Sequence, residues 1–401
     1  MGTDKSTSKR LYYLDNIRSF VIFFVILQHA ALIYARYDGT QNISQTIYRF
    51  IIGFTDIFMM PMLFFIAGYF ALASIRKQGP QKFLRSKFLR IWIPWLKGLF
   101  LLLPLSVYFL DMLKQLRAGS EVMAFGDHFM NFMAIIFTPH TGFVKAGQLS
   151  PRHLWFLSVL FAFFVLFTLL YVLSGKIISK QHDKEHSSSK IIIALITAGV
   201  LSAVFYFMVS FAIGWGYKPV SIFNIVYSDC ARTSSYVVYF ILGLYAFKGK
   251  WFSAGNMFHG AKYWYMASFA SFALYLFTDF YLELGNSTET ILIRSLVRAT
   301  LVLCLIVLML DIFSKYFNTR KAISGTMADN SYTVYIIHYV LHGAIAVLIS
   351  FLPAPSLIKM SAVFLLTCVL SYGVSIFAVR PHPRLSALFM AVLTGILLIV
   401  F

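Results

Sequence analysis

Acidic residues are scarce in this chain. Fifteen Asp and Glu stand against 34 Lys and Arg in 401 residues, and charged residues of both signs reach only 12%. A soluble domain carries about a quarter charged residues, so this scarcity excludes an ordinary water-soluble globule. Cysteine is scarcer still. Cys230, Cys304 and Cys368 lie far apart with no C-x-x-C; they support neither a disulfide framework nor a thiolate metal site and read as small packed hydrophobes. There is no short-period repeat, and no hydrophilic stretch long enough to hold a soluble domain. A net charge of +19 can signal nucleic-acid binding. Here the positive charges sit in short loops between apolar runs, the orientation signal of membrane proteins, so nucleic acid is not an expected partner.

What the chain has in quantity is apolar and aromatic. Hydrophobic residues make up 59%, with 42 Phe and 23 Tyr, as suits helices whose outer faces meet acyl chains and headgroups. Apolar runs near 19–35, 50–75, 91–110, 153–174, 191–213, 233–247, 263–282, 291–313, 332–351 and 359–379 are each long enough, or nearly so, to cross about 30 Å of hydrocarbon. The first is longer than a signal-peptide core and lacks a convincing cleavage site, so it reads as a retained helix. The expected fold class is all-α: a polytopic transmembrane bundle of ten core helices in the lipid bilayer. The last stretch, 387–401, is an eleventh span, an interfacial helix or a cut-off one. The bundle is assigned to residues 1–380 and a C-terminal tail to 381–401.

Alternate loops differ in charge. One side carries Lys5, Lys9 and Arg10, then Arg76, Lys77, Lys82, Arg85, Lys87 and Arg90 with no acid. Lys176, Lys180, Lys184 and Lys190 follow, then Lys248, Lys250 and Lys262, then Lys315, Arg320 and Lys321, and finally Arg380 and Arg384. The other side holds most loop acids: Asp38, Asp111, Glu121, Asp127, Asp229, Glu283 and Glu289. The positive-inside rule then puts the N-terminus and both ends of the ten-helix core in the cytoplasm. The stretch 180–190, KQHDKEHSSSK, reads as a solvated cytoplasmic loop whose two histidines carry no assignment.

The first run, LDNIRSFVIFFVILQHA, contains two ionisable residues eleven positions apart, Arg18 and His29. Eleven residues of helix come to about 20° past three turns and roughly 16 Å of rise, so both share one face, with Asp15 within about 40° of it. Ionisable residues inside a membrane segment mark a cavity or pathway by default. Arg18 can also snorkel to the interface, and His29 can simply bond a neighbouring helix. His338 and His342, four apart, have the spacing of a two-histidine metal site but no acidic partner and no H-E-x-x-H, so no metal is expected. Arg294 and Arg298, four apart, either hold an anion or pair with Glu289.

The pattern resembles the membrane acyltransferase-3 family over roughly 11–380. The resemblance is carried by R-x10-H in YLDNIRSFVIFFVILQH, then FMMPMLFFIAGYF, KFLRIWIPW, HLWFLSVLF and NSYTVYIIH, in that order. There are departures: the family's usual S-G-F reads Ala67-Gly68-Tyr69, and its pair of arginines reads Lys87 and Arg90. The resemblance implies a ten-helix enzyme that takes an acyl group from cytoplasmic acyl-CoA, most often acetyl-CoA, and delivers it to a hydroxyl outside, typically of an envelope glycan, from the inner or plasma membrane. A succinyltransferase of periplasmic glucans is the variant within that family; a polysaccharide or solute transporter is the rival of another class. Residues 1–401 contain no hydrolase-like domain to relay the acyl group, so direct transfer is expected.

In that light Arg18, Lys87 and Arg90 are the candidates for holding CoA phosphates. His29 is the candidate general base, with an acyl-histidine relay as the alternative. Asp15, His153, Trp155, Ser331, Tyr335 and His338 are expected to line the cavity. Asp56 falls at a depth similar to that of His29 and is expected to orient its imidazole; pairing with Arg49 is the alternative.

Overall fold

The computed structural model describes residues 11–37, 43–144, 151–174, 184–252, 261–282, 285 and 287–400. Of the charges used for orientation, Lys5, Lys9, Arg10, Asp38, Lys176, Lys180 and Glu283 lie outside these residues, as does His182.

The helices, in chain order, are α1 (Tyr12–Tyr37), α2 (Ile43–Gln78), α3 (Pro80–Ala118), α4 (Phe125–Ile136), α5 (Trp155–Leu173), α6 (Ser188–Ile213), α7 (Cys230–Lys248), α8 (Ala261–Leu276), α9 (Thr288–Tyr316), α10 (Ala322–Ser350), α11 (Ser356–Val374) and α12 (Pro383–Val400). Eight of the described helices are long and apolar enough to cross a membrane, so the protein is a multi-pass membrane protein. The expected spans at 233–247 and 263–282 are also helical, but α7 has 19 residues with Arg232 in its first turn and α8 has 16, and neither is among the eight. The stretch expected from 387 lies within α12, an apolar helix starting at Pro383.

α3 shows how sequence bends a span. Its residues Phe88–Trp92 and Gly98–Leu102 are π-helical. Pro94 and Pro104 follow, and the carbonyl each proline ring would strike, four residues earlier, belongs to Arg90 and Phe100 within those wide turns. Several hydroxyls in the apolar runs are satisfied locally: Thr55, Ser106, Thr168 and Ser295 each donate to the carbonyl one turn back, at 2.6–2.8 Å, which lets them sit where no water reaches.

α2 and α7 cross closely at two glycines. A Cβ on Gly68 would strike the carbonyl of Phe240, and one on Gly243 would strike that of Phe65. In lipid, where apolar surface gains little by leaving the solvent, small residues permit the close packing that holds helices together. α1 lies in the interior, touching α2, α9, α10 and α11.

The all-α expectation needs one correction. Gly142–Phe143 (β1), Pro219–Ile222 (β2) and Val226–Asp229 (β3) form an antiparallel sheet in the order β1-β2-β3. The β2–β3 turn carries two residues at positive φ, Phe223 (53°) and Asn224 (58°), the form that matches strand twist. Asn224 anchors the turn by donating to the carbonyls of Thr138 (2.8 Å) and Ile135 (3.2 Å), just beyond and within α4. These strands are short and come from separated loops, so no periodicity announces them.

Candidate active site

Three segments distant in sequence bring imidazoles together. α1 supplies His29. A single 3-10 turn, Arg152–Leu154, supplies His153, and α10 supplies His338. Ring centroids are 5.2 Å apart for His29 and His338, 5.0 Å for His153 and His338, and 6.4 Å for His29 and His153. Tyr339 stacks on His153 at 4.8 Å and meets His29 edge-on at 5.0 Å. The hydroxyl of Tyr335 donates to the carbonyl of His153 and ties the turn to α10.

Backbone carbonyls define the tautomers, because a carbonyl only accepts. His338 Nδ1 faces the carbonyls of Tyr335 (2.8 Å) and Val334 (3.2 Å), so it carries the proton and leaves Nε2 as an acceptor. That Nε2 lies 3.4 Å from His29 Nδ1, which also donates to the carbonyl of Val25 at 2.8 Å. His29 Nε2 is left with the free lone pair. His153 donates from Nε2 to the carbonyl of Ile336 at 3.0 Å. His153 and His338 are buried and His29 is half-buried.

A cavity of about 660 Å³ opens beside His29. His153, Trp155, Tyr335 and Asp56 line it. His338 supports His29 from behind the wall. Ser331 is buried two turns away and donates to the carbonyl of Ala328 at 3.0 Å, so it does not line this cavity. Asp15 and Arg18 also lie away from it, paired at 3.4 Å near the start of α1. Lys87 lies over the rings of Phe164 (4.6 Å) and Phe83 (5.2 Å), and the charges of Arg18 and Arg90 both reach it. The three expected phosphate-holding residues thus gather at one end of the bundle, with His29 roughly 16 Å along α1 from Arg18.

The expected Asp56–His29 hydrogen bond is not made. Asp56 Oδ1 accepts from Arg232 at 2.6 Å and Oδ2 from Arg298 at 2.9 Å, while the carbonyls and His338 take the role foreseen for it. Two guanidinium groups outcompete a neutral imidazole for a carboxylate away from water. The Arg49 alternative fails too, since Arg49 lies over Phe280. Arg298 therefore pairs with Asp56 rather than Glu289, whose carboxylate accepts from Ser287 at 2.6 Å. Arg294 lies over the ring of Trp215.

Residues that sequence reading passed over include Arg36, Arg152, Arg232 and Tyr339, all lining the cavity. Asp56 held a signal for one of them: an intramembrane acid calls for an intramembrane cation, and Arg232 opens the expected span at 233–247. Arg152, beside His153, has φ 49°, a left-handed conformation that costs a non-glycine residue about 1–2 kcal/mol and persists only where the surroundings hold it.

A family model described as an acyltransferase domain, Acyl_transf_3, matches residues 11–380. The chain belongs to the acyltransferase-3 family. This acyltransferase is matched by no curated protein and by no solved structure. Membership decides between an enzyme and a transporter: the cavity beside His29 is a candidate site of acyl transfer. Among the described residues no group of three or more His, Cys, Asp or Glu is arranged to hold a metal ion.

Proposed function

We propose that this acyltransferase moves an acetyl group from cytoplasmic acetyl-CoA to a hydroxyl of a glycan on the outer face of the inner or plasma membrane. The observation that carries the reading is the free Nε2 of His29, turned out by its Nδ1 bonds beside a cavity large enough for a sugar. The donor's phosphates rest on Arg18, Lys87 and Arg90, and its pantetheine arm covers the roughly 16 Å to His29.

His29 Nε2 takes the proton of the acceptor hydroxyl as its oxygen attacks the thioester carbonyl. The His338 Nε2 lone pair faces the Nδ1–H of the resulting imidazolium. Collapse of the tetrahedral intermediate breaks the C–S bond, and the imidazolium returns the proton to the sulfur. The products are an O-acetyl ester and free CoA.

The test is transfer of radiolabelled acetyl from acetyl-CoA by the purified full chain, with mass spectrometry of surface glycans from a knockout and its complemented strain. His29→Ala abolishes transfer while acetyl-CoA binding persists; Lys87→Ala and Arg90→Ala raise the KM for acetyl-CoA. Normal acylation by His29→Ala overturns the mechanism, and an acetylation pattern unaltered by the knockout overturns the function.

A further inference from the structure

We propose that Arg36 and Arg152 form a subsite for an acidic group on the acceptor, so that the substrate is an acidic glycan carrying a carboxylate or phosphate near the hydroxyl that is acylated. The proposal rests on the acyltransferase reading above and narrows its acceptor.

The acids of the cavity are already engaged. Asp56 is held by Arg232 and Arg298, and Asp229 accepts the backbone N–H groups of Lys218 (2.7 Å) and Arg232 (3.0 Å). Arg36 and Arg152 also line the cavity. Among the described residues neither has an acid within ion-pair distance or a side-chain hydrogen bond, and the Nε of Arg152 is buried with no partner. Arg36 is exposed and Arg152 half-buried, so both guanidinium groups can take an anion that enters the cavity, and their fork of donors matches a carboxylate or phosphate edge.

Position favours the same ligand. Arg36 lies seven residues beyond His29 on α1, about 20° short of two turns and so on the same face, roughly 10 Å farther along. Arg152 adjoins His153, which stacks on Tyr339 beside His29. An anion held there sits roughly 10 Å from His29, so the charge lies on a unit next to the one acylated rather than on the same ring. The surplus of cationic groups at the cavity would also draw an acidic polymer toward it.

The full-length enzyme in lipid-free detergent micelles is assayed with labelled acetyl-CoA and three acceptors: a neutral glucose oligosaccharide, one bearing a uronate carboxylate and one bearing glycerol phosphate. The expected result is a KM at least about tenfold lower for one or both anionic acceptors, the better of the two naming the anion. Arg152→Gln and Arg36→Gln raise that KM about 10- to 100-fold, as loss of a charge-assisted bond predicts, and Arg152→Lys recovers part of it. Equal use of the neutral acceptor by the wild type overturns the proposal, as does a charge preference that survives both Gln variants. Arginines that serve only lipid phosphates reveal themselves when the variants lose anionic-lipid-dependent stability but keep the acceptor KM, which also overturns it. Binding of the same oligosaccharides without acetyl-CoA separates the two readings. Arginine-dependent binding without acylation keeps the subsite and removes the transferase assignment, whereas acylation with no charge preference does the reverse.

Discussion

At the scale of single residues, orientation of the candidate base falls to peptide carbonyls and a second imidazole. His338 is a positioning residue: its Nδ1 is committed to two carbonyls, so its Nε2 faces His29 as an acceptor. His338→Ala is expected to cut kcat by about 10- to 100-fold, on the scale of a lost supporting partner, with KM for acetyl-CoA little moved. His338→Gln, which retains an acceptor, recovers part of the loss. Steady-state kinetics with the two variants checks this; an equal loss in both points to packing instead. Asp56 belongs to stability. Asp56→Ala strands two half-buried guanidinium groups and is expected to cost about 1.5–3 kcal/mol, the scale of a charge-assisted hydrogen bond, read as a lower midpoint of thermal unfolding in detergent. A variant with wild-type stability and lost turnover would return Asp56 to the chemistry.

At the scale of elements, two features carry expectations that composition does not. The α2–α7 crossing requires glycine because each Cβ would meet backbone rather than a movable side chain. Gly243→Leu is expected to abolish folded protein and Gly243→Ala to lower its yield, measured by size-exclusion profile and thermal unfolding; unaltered profiles for both rule out a tight crossing. On α4, outside the spanning helices, burial holds the His128 imidazole below its usual range, with Asp111 at 3.5 Å pulling the other way. The folded chain keeps His128 neutral where the unfolded chain takes up a proton, near pH 6.5. Stability is therefore present above that pH and is lost as pH falls below it toward the lower folded value. Unfolding midpoints between about pH 7.5 and 5.5 should decline, and His128→Asn should flatten the slope.

At the scale of the whole molecule, the arrangement has two ends: a basic cluster around Lys87 and a cavity beside His29, joined by α1. If the basic end faces the cytoplasm, Lys82→Cys, at an exposed position on α3, reacts with a membrane-impermeant thiol reagent only from that side, and acetyl-CoA slows the reaction. The background is set by a variant lacking Cys230, Cys304 and Cys368. Labelling from outside reverses the topology and removes the donor-site argument.

Much of this architecture is legible in the amino-acid order. Length and apolarity mark the spans, because the bilayer tolerates little else for 20 residues. The 3.6-residue period alone puts Arg18 and His29 on one face of α1, and the motif order carries the family. Tertiary structure decided the partners. Asp56 pairs with residues 176 and 242 positions away, and the three imidazoles come from positions 29, 153 and 338. No local pattern encodes those meetings, because in lipid the faces that pack and the faces that meet acyl chains are both apolar. Which helix lies beside which is left to glycine crossings, hydrogen bonds and shape, and these act only once the helices are side by side.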